Sequence, residues 1–202
     1  MSEVLVAGIL DFWFGPLNAE GMPEKKEKQP SWFKKDPEFD QRIQKQYGNL
    51  MEMAPMGAYD RFANTPEGRT ALLILLDQFP RNLFRGKPRA FYTDEKAVVQ
   101  AREATLKGEH LSLPLAYAYF VLMPFMHSES LEMQDLGLKH FKELEAKASG
   151  AGKEMIKGAV DYMNQHRDII VKFGRFPHRN EILGRESTPE EITFLKNGGP
   201  TF

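Results

Sequence analysis

Three short stretches of this sequence place charged and imidazole side chains where packing alone does not call for them. The first is Asp77-Gln78-Phe79-Pro80-Arg81-Asn82, continuing to Arg85. Asp77 closes an otherwise apolar run, residues 71–76. A carboxylate at a helix C-terminus is unfavourable by about 0.3–1 kcal/mol unless a cation answers it. Arg81, one turn further on, is the nearest partner. The second stretch is His127-Ser128-Glu129, directly after the most apolar segment. Ser128 suits an N-cap and Glu129 the first turn of the next helix. His127 is then left over, as an acid/base group or as a hydrogen-bonded core residue.

The third stretch is His166-Arg167 with the later loop Arg175-Phe176-Pro177-His178-Arg179-Asn180. His166 falls on an apolar stripe, a position usually filled by a satisfied core histidine. Here Arg167, Arg175, His178, Arg179 and Arg185 follow within twenty residues, with few acids between them. Guanidinium groups in a loop suit bidentate recognition of phosphate or carboxylate. If the stretches converge, Arg81, Arg85, Arg167, Arg175, Arg179 and Asn180 are the ligand-binding candidates. His127, His166 or His178 is then the group that moves a proton, with Asp77 or Glu129 orienting the imidazole. No metal and no cofactor are expected. His127-x-Glu129 is not the His-x-x-x-His spacing that puts two ligands on one helical face, and there is no cysteine. P-loop, dinucleotide fingerprint and nucleophile elbow are also missing.

The elements that must carry these groups are helical. The chain has 202 residues, with only seven Val, eight Ile and seven Thr. Leu, Ala, Met, Glu, Lys and Gln fill the periodic segments. The spacing predicts a short first helix over 4–14, ended by Gly15-Pro16, and an exposed connector over 15–31 that includes the charge run Glu24-Lys25-Lys26-Glu27-Lys28. Trp32 and Phe33 are expected to anchor the return to the core. Asp36-Pro37 and Thr65-Pro66-Glu67 pair a cap with proline at the first helical position. Further helices are predicted over 95–107, capped at Thr93-Asp94, over 113–126, over 131–148 and over 153–173. Gly174 stops the last of these. Thr188-Pro189-Glu190-Glu191 reads as a capping box opening a final short helix.

The fold expected is therefore all-α, with antiparallel helical hairpins, no sheet, and residues 1–202 in one domain. A chain of this length buries roughly 70% of its unfolded surface and needs no disulfide. With 27 basic and 28 acidic residues, nothing points to nucleic acid. The longest apolar run, 113–126, is too short to span a bilayer, so no membrane partner is expected. Without cysteine or a signal-like start, a cytoplasmic location is expected. Phe79-Pro80-Arg81-Asn82 is echoed by Phe176-Pro177-His178-Arg179-Asn180.

Leu75-Leu76-Asp77-Gln78-Phe79-Pro80-Arg81-Asn82, Pro124-Phe125-Met126-His127-Ser128-Glu129, and Phe173 to Asn180 resemble hallmarks of the "domain of unknown function 924" family. Leu183-Gly184-Arg185-Glu186-Ser187-Thr188-Pro189-Glu190-Glu191 is similar to its closing motif. The resemblance runs from about residue 10 to 202. It implies an all-helical fold grouped with the TPR-like α-superhelices, and it supplies no activity and no catalytic roles. Three readings follow: a site that binds or acts on a small anionic metabolite, an interaction module holding a peptide or protein partner, or a closed network that only braces the fold. The first is preferred, because short loops seldom need so many histidines and arginines for packing alone.

Overall fold

The computed structural model describes residues 2–25 and 28–202. It is helical throughout. Helix α1 spans Ser2–Phe14, α2 Lys28–Phe33, α3 Pro37–Met53, α4 Pro66–Leu73, α5 Phe79–Leu83, α6 Asp94–Leu106, α7 Leu115–His127, α8 Leu131–Lys147, α9 Gly150–Phe173 and α10 Pro189–Lys196. No strand occurs among the described residues; one isolated bridge joins Leu17 and Pro23.

The caps act as their chemistry dictates. Asp36 accepts the amides of Glu38 and Phe39, Thr65 accepts that of Gly68, and Thr188 with Glu191 forms a full capping box. Gly174 ends α9 in the left-handed conformation, at φ 68°. Other boundaries differ from expectation. Ser128 is the C-cap of α7 and not the N-cap of α8, because the connection stays extended to Ser130. Glu129 therefore lies outside the helix, free to pair elsewhere. Thr93 precedes α6 but makes no side-chain cap bond. Its hydroxyl donates instead to the Leu76 carbonyl.

The stretch 15–31 is less exposed than a solvated connector would be: Met22 and Pro23 are buried and α2 already starts at Lys28. Lys26 and Glu27, in the middle of the charge run, lie outside the described residues. Trp32 anchors this segment, donating its indole N–H to the Trp13 carbonyl at 2.9 Å. Phe33 is 60% exposed and meets the core only at its edge, with its ring stacked 6.5 Å from Phe120.

Two elements organise the core. The first is α4 with its continuation, Ile74–Gln78, which is a turn of π-helix, followed by α5. Pro80 has the physical responsibility. A proline in a helix gives no N–H and clashes with the carbonyl four residues back, here Leu76. The ladder widens, so that the Phe79 amide reaches the Ile74 carbonyl, and Thr93 satisfies Leu76. The second is α7, buried almost continuously from Ala116 to Met126. An aromatic cluster of Trp13, Phe39, Phe79 and Phe120 joins α1, α3, α5 and α7, with ring centroids 5.6–5.7 Å apart around Trp13. Each such ring contributes about 1.5–3 kcal/mol on burial. The hairpin of α8 and α9 covers the other side of α7, and a second small apolar cluster (Ile169, Ile170, Phe176) holds the C-terminal segment to the end of α9.

Candidate functional site

The π turn carries Asp77 next to its last residue, and α7 ends on His127. Nδ1 of His127 lies 2.7 Å from Oδ1 of Asp77. Asp77 is 1% exposed. Its second oxygen accepts the side-chain amide of Gln78 at 2.5 Å, and Arg81 Nη1 stands 3.1 Å from the first. Burial pushes the Asp77 carboxyl up, but His127, Arg81 and Gln78 outweigh it and hold the group below the ordinary carboxylate range. Burial and the Arg81 charge push His127 down, with Asp77 drawing it only part of the way back. The pair is thus a carboxylate and a neutral imidazole. An ionised carboxylate can only accept, so the proton of His127 resides on Nδ1 and Nε2 carries the lone pair. This is the arrangement of a general base with its orienting acid.

Arg81 does more than brace Asp77. Its two terminal nitrogens bind both oxygens of Asp94 at 2.8 and 2.9 Å, and Nη1 also donates to the Asp77 carbonyl at 3.0 Å. Asp94 stands at the start of α6, where a negative charge is favoured. Arg179 reaches the same carboxylate from the far end of the chain, 3.5 Å from Oδ2, and donates to the His127 carbonyl at 3.0 Å. The echoed motifs therefore bring their arginines to one shared acid. The Arg179 guanidinium lies over Phe91 at 4.6 Å and Phe176 at 4.4 Å from the ring centres. Its Nε is buried and has no hydrogen-bond partner. Burial, then repulsion from Arg81, lowers its pKa to about 10, so it stays charged at neutral pH.

Around this centre stand the other imidazoles. His166 donates from Nδ1 to the Tyr162 carbonyl at 2.7 Å and stacks on Phe202 at 3.6 Å. Burial lowers its pKa to about 3, against the raising effect of that hydrogen bond, and the charges of His127, Arg179 and His178 add to the lowering. His178 rests against the rings of Phe176 and Phe202, and neither ring nitrogen makes a hydrogen bond of ordinary geometry. Burial and Arg179 bring it to about 4. All three imidazoles are neutral at pH 7.

A second group of ion pairs lies behind the first and is closed. Glu129 receives both terminal nitrogens of Arg185, at 2.6 and 2.9 Å, and the Phe176 amide at 2.8 Å. Burial raises Glu129, but these donors outweigh it and keep it ionised. Glu191 receives Arg175 at 2.7 and 2.8 Å and Asn180 at 3.2 Å. Arg175 holds the Glu191 carboxyl down at about 2. Arg175 and Asn180 are therefore occupied in fastening α10 to the loop. Glu129 fastens the α7–α8 connection to the same loop and does not touch an imidazole through any hydrogen bond.

Of the candidate residues, Asp77, Arg81, His127, His166, His178 and Arg179 are brought together. Arg85 and Arg167 are not. Arg85 turns to Asp40 of α3, and Arg167 meets Asp135 of α8 at 2.5 Å. Each arginine is held by an acid of another helix, so neither joins the centre. Asp94 and Phe91 were hidden from sequence reasoning. Asp94 reads as part of a helix cap, and nothing in its spacing marks it as the acid that Arg81 and Arg179 share.

The chain matches the family described as "Bacterial protein of unknown function (DUF924)" over residues 9–199. It belongs to that family. A solved structure titled as a protein of unknown function, from Agrobacterium tumefaciens, is similar to this DUF924 chain over 98% of its length and over 100% of the other, at 34% identity and a TM-score of 0.81. Among curated proteins no match is found. Family and neighbour alike are described as of unknown function. No helix among the described residues is long and apolar enough to cross a membrane.

Proposed function

We propose that this DUF924 protein binds, and acts by proton transfer on, a small anionic metabolite at the Asp77–His127–Arg179 centre, in the cytoplasm. One observation carries the reading. Arg179 is charged and 6% exposed, its guanidinium lies over two aromatic rings, its Nε is left without a partner, and it binds the backbone carbonyl of His127, a neutral imidazole whose tautomer a buried carboxylate fixes. Buried donors are almost always satisfied, and exceptions gather where a ligand is handled. Arg175–Glu191 and Arg185–Glu129, by contrast, are two-pronged pairs in which both oxygens of each carboxylate are taken. In this reading Arg179 meets the carboxylate or phosphate of the ligand, and Nε2 of His127 takes a proton from the ligand or from a water. The His127 imidazolium so formed is stabilised by Asp77.

The test is titration of a panel of phosphate monoesters and mono- and dicarboxylates by calorimetry. A compound that binds the wild-type chain is expected to bind at least about 10-fold more weakly to Arg179→Lys, which keeps the charge but loses the planar fork. His127→Gln is expected to keep the binding and to lose turnover. If affinities are unchanged in Arg81→Ala and Arg179→Lys, or if no member of the panel binds, the reading fails.

An interaction module is the second reading, and one feature favours it. A cleft of about 770 Å³ opens between α1 and the turn before α4, with Val6, Leu10, Leu17, Phe62 and Tyr117 along it. Asp77, His127 and Arg179 are not among its lining residues. A peptide held there is expected to be released by Val6→Glu and unaffected by Arg179→Lys, which separates the two readings.

A further inference from the structure

The chain has five histidines, and the three near Asp77 leave two. His110, in the segment after α6, and His140, on α8, have their rings edge to face at 4.7 Å. Gly108, at φ 69°, turns the chain after α6 into the short 3-10 segment Glu109–Leu111, which carries His110 inward. His140 and Glu143 are three residues apart on α8 and share one face of it. We propose that His110, His140 and Glu143 are the protein ligands of a divalent transition-metal ion.

The geometry is near what such an ion requires. One ligand atom from each residue lies within 4.8 Å of the other two. Zinc binds imidazole nitrogen and carboxylate oxygen at about 2.0–2.2 Å in a tetrahedron, which sets its ligands about 3.3 Å apart. Glu143 Oε2 stands 2.8 Å from His140 Nδ1 and 3.8 Å from His110 Nε2. One gap has to open and the other to close by about half an ångström, within the reach of small side-chain rotations.

A second observation points the same way. His110 is 1% exposed, and neither of its ring nitrogens has a hydrogen-bond partner. A buried imidazole in that condition has given up the hydration of two polar atoms without a hydrogen bond to replace it. Glu109, its neighbour, does not supply the missing partner, because it is committed to Arg69 at 2.8 Å. Glu143 is 39% exposed and forms the mouth through which an ion would enter. Lys139 approaches its other oxygen at 3.9 Å, but that side chain is 65% exposed and can swing away. Two imidazoles and one carboxylate suit zinc, iron, cobalt, nickel or copper better than magnesium or calcium. Three protein ligands leave a fourth position for water or another molecule. The inference does not depend on the Asp77–His127 centre.

The experiment uses the full chain, stripped with a chelator and titrated with zinc chloride by calorimetry, and with cobalt(II) followed by visible absorption. The expected result is one equivalent of zinc per chain and a cobalt spectrum of low-coordinate N/O ligation. Glu143→Gln and His110→Gln are each expected to weaken zinc binding by about 100-fold or more. Circular dichroism verifies the fold of each variant. Should His110→Gln fail to fold, the partly exposed Glu143→Gln decides alone. His178→Gln is expected to leave binding unchanged. Absence of saturable binding, survival of binding in Glu143→Gln, or its loss in His178→Gln overturns the assignment.

Discussion

Asp77 and His127 are fifty residues apart in the chain and 2.7 Å apart in the fold. Asp77 lies in the π turn between α4 and α5 and His127 is the last residue of α7, so the contact couples two core elements. Its removal should expose the difference between shape and charge. Asp77→Ala leaves His127 Nδ1–H and one side of Arg81 unanswered in a buried place, and should cost about 3 kcal/mol. Asp77→Asn keeps an acceptor oxygen and should cost about 1 kcal/mol. Urea unfolding of the two variants measures this. Equal losses would mean that packing, not pairing, sets the role of Asp77.

Acid should destabilise the protein in two stages. His166 has a folded pKa of about 3, below the ordinary value. The unfolded chain then binds more protons than the folded one between about pH 3 and 6.5, so stability falls as pH drops through that window. The contribution is complete above about 6.5 and, for His166 alone, about 2 kcal/mol smaller at pH 5. His178 acts in the same sense. Asp77, held below the usual range, adds stability above the unfolded carboxylate pKa that is lost only in stronger acid. Melting temperature at pH 5, 6 and 7.5 should therefore rise with pH, and His166→Phe, which can still stack on Phe202, should flatten the rise.

Glu129 ties a connection between helices to a loop forty-seven residues later, through the Phe176 amide. Hydrogen bonds to a charged group contribute about 1.5–3 kcal/mol. Glu129→Ala should lose about 2 kcal/mol. It should also speed hydrogen exchange in residues 175–188 while leaving α4 and α7 protected, a pattern that exchange mass spectrometry resolves. Uniform acceleration along the chain would contradict the local role.

Gly137 lets α8 approach α7. A methyl group added there would stand 2.5 Å from Cβ of Phe125 and 3.0 Å from Cε of Met163. The Met163 end can move, but Phe125 Cβ is fixed to the helix. Gly137→Ala gains helix propensity of about 1 kcal/mol and meets overpacking of about 1–3 kcal/mol. The expected net effect is destabilisation, seen as a lower melting temperature. A rise would show that the two helices can separate freely.

The sequence by itself determined the helices and most of their ends. Periodicity and caps act within four residues of each other, so Asp36, Thr65, Gly174 and the Thr188–Glu191 box announce themselves locally. It also singled out the stretches in which Asp77, His127 and Arg179 occur, since charge beside apolar runs is visible in one dimension. Tertiary structure alone decided the partners. Asp94 receives arginines thirteen and eighty-five positions away, and Arg85 and Arg167 are drawn off by Asp40 and Asp135, choices set by how the helices pack. The π turn that aims Asp77 is a compromise between Pro80 and the Leu76 carbonyl that Thr93, seventeen residues on, makes affordable. The approach of His110 to His140 and Glu143 arises in the same way, because a chain's ion pairs and ligand sets depend on distances that only packing fixes.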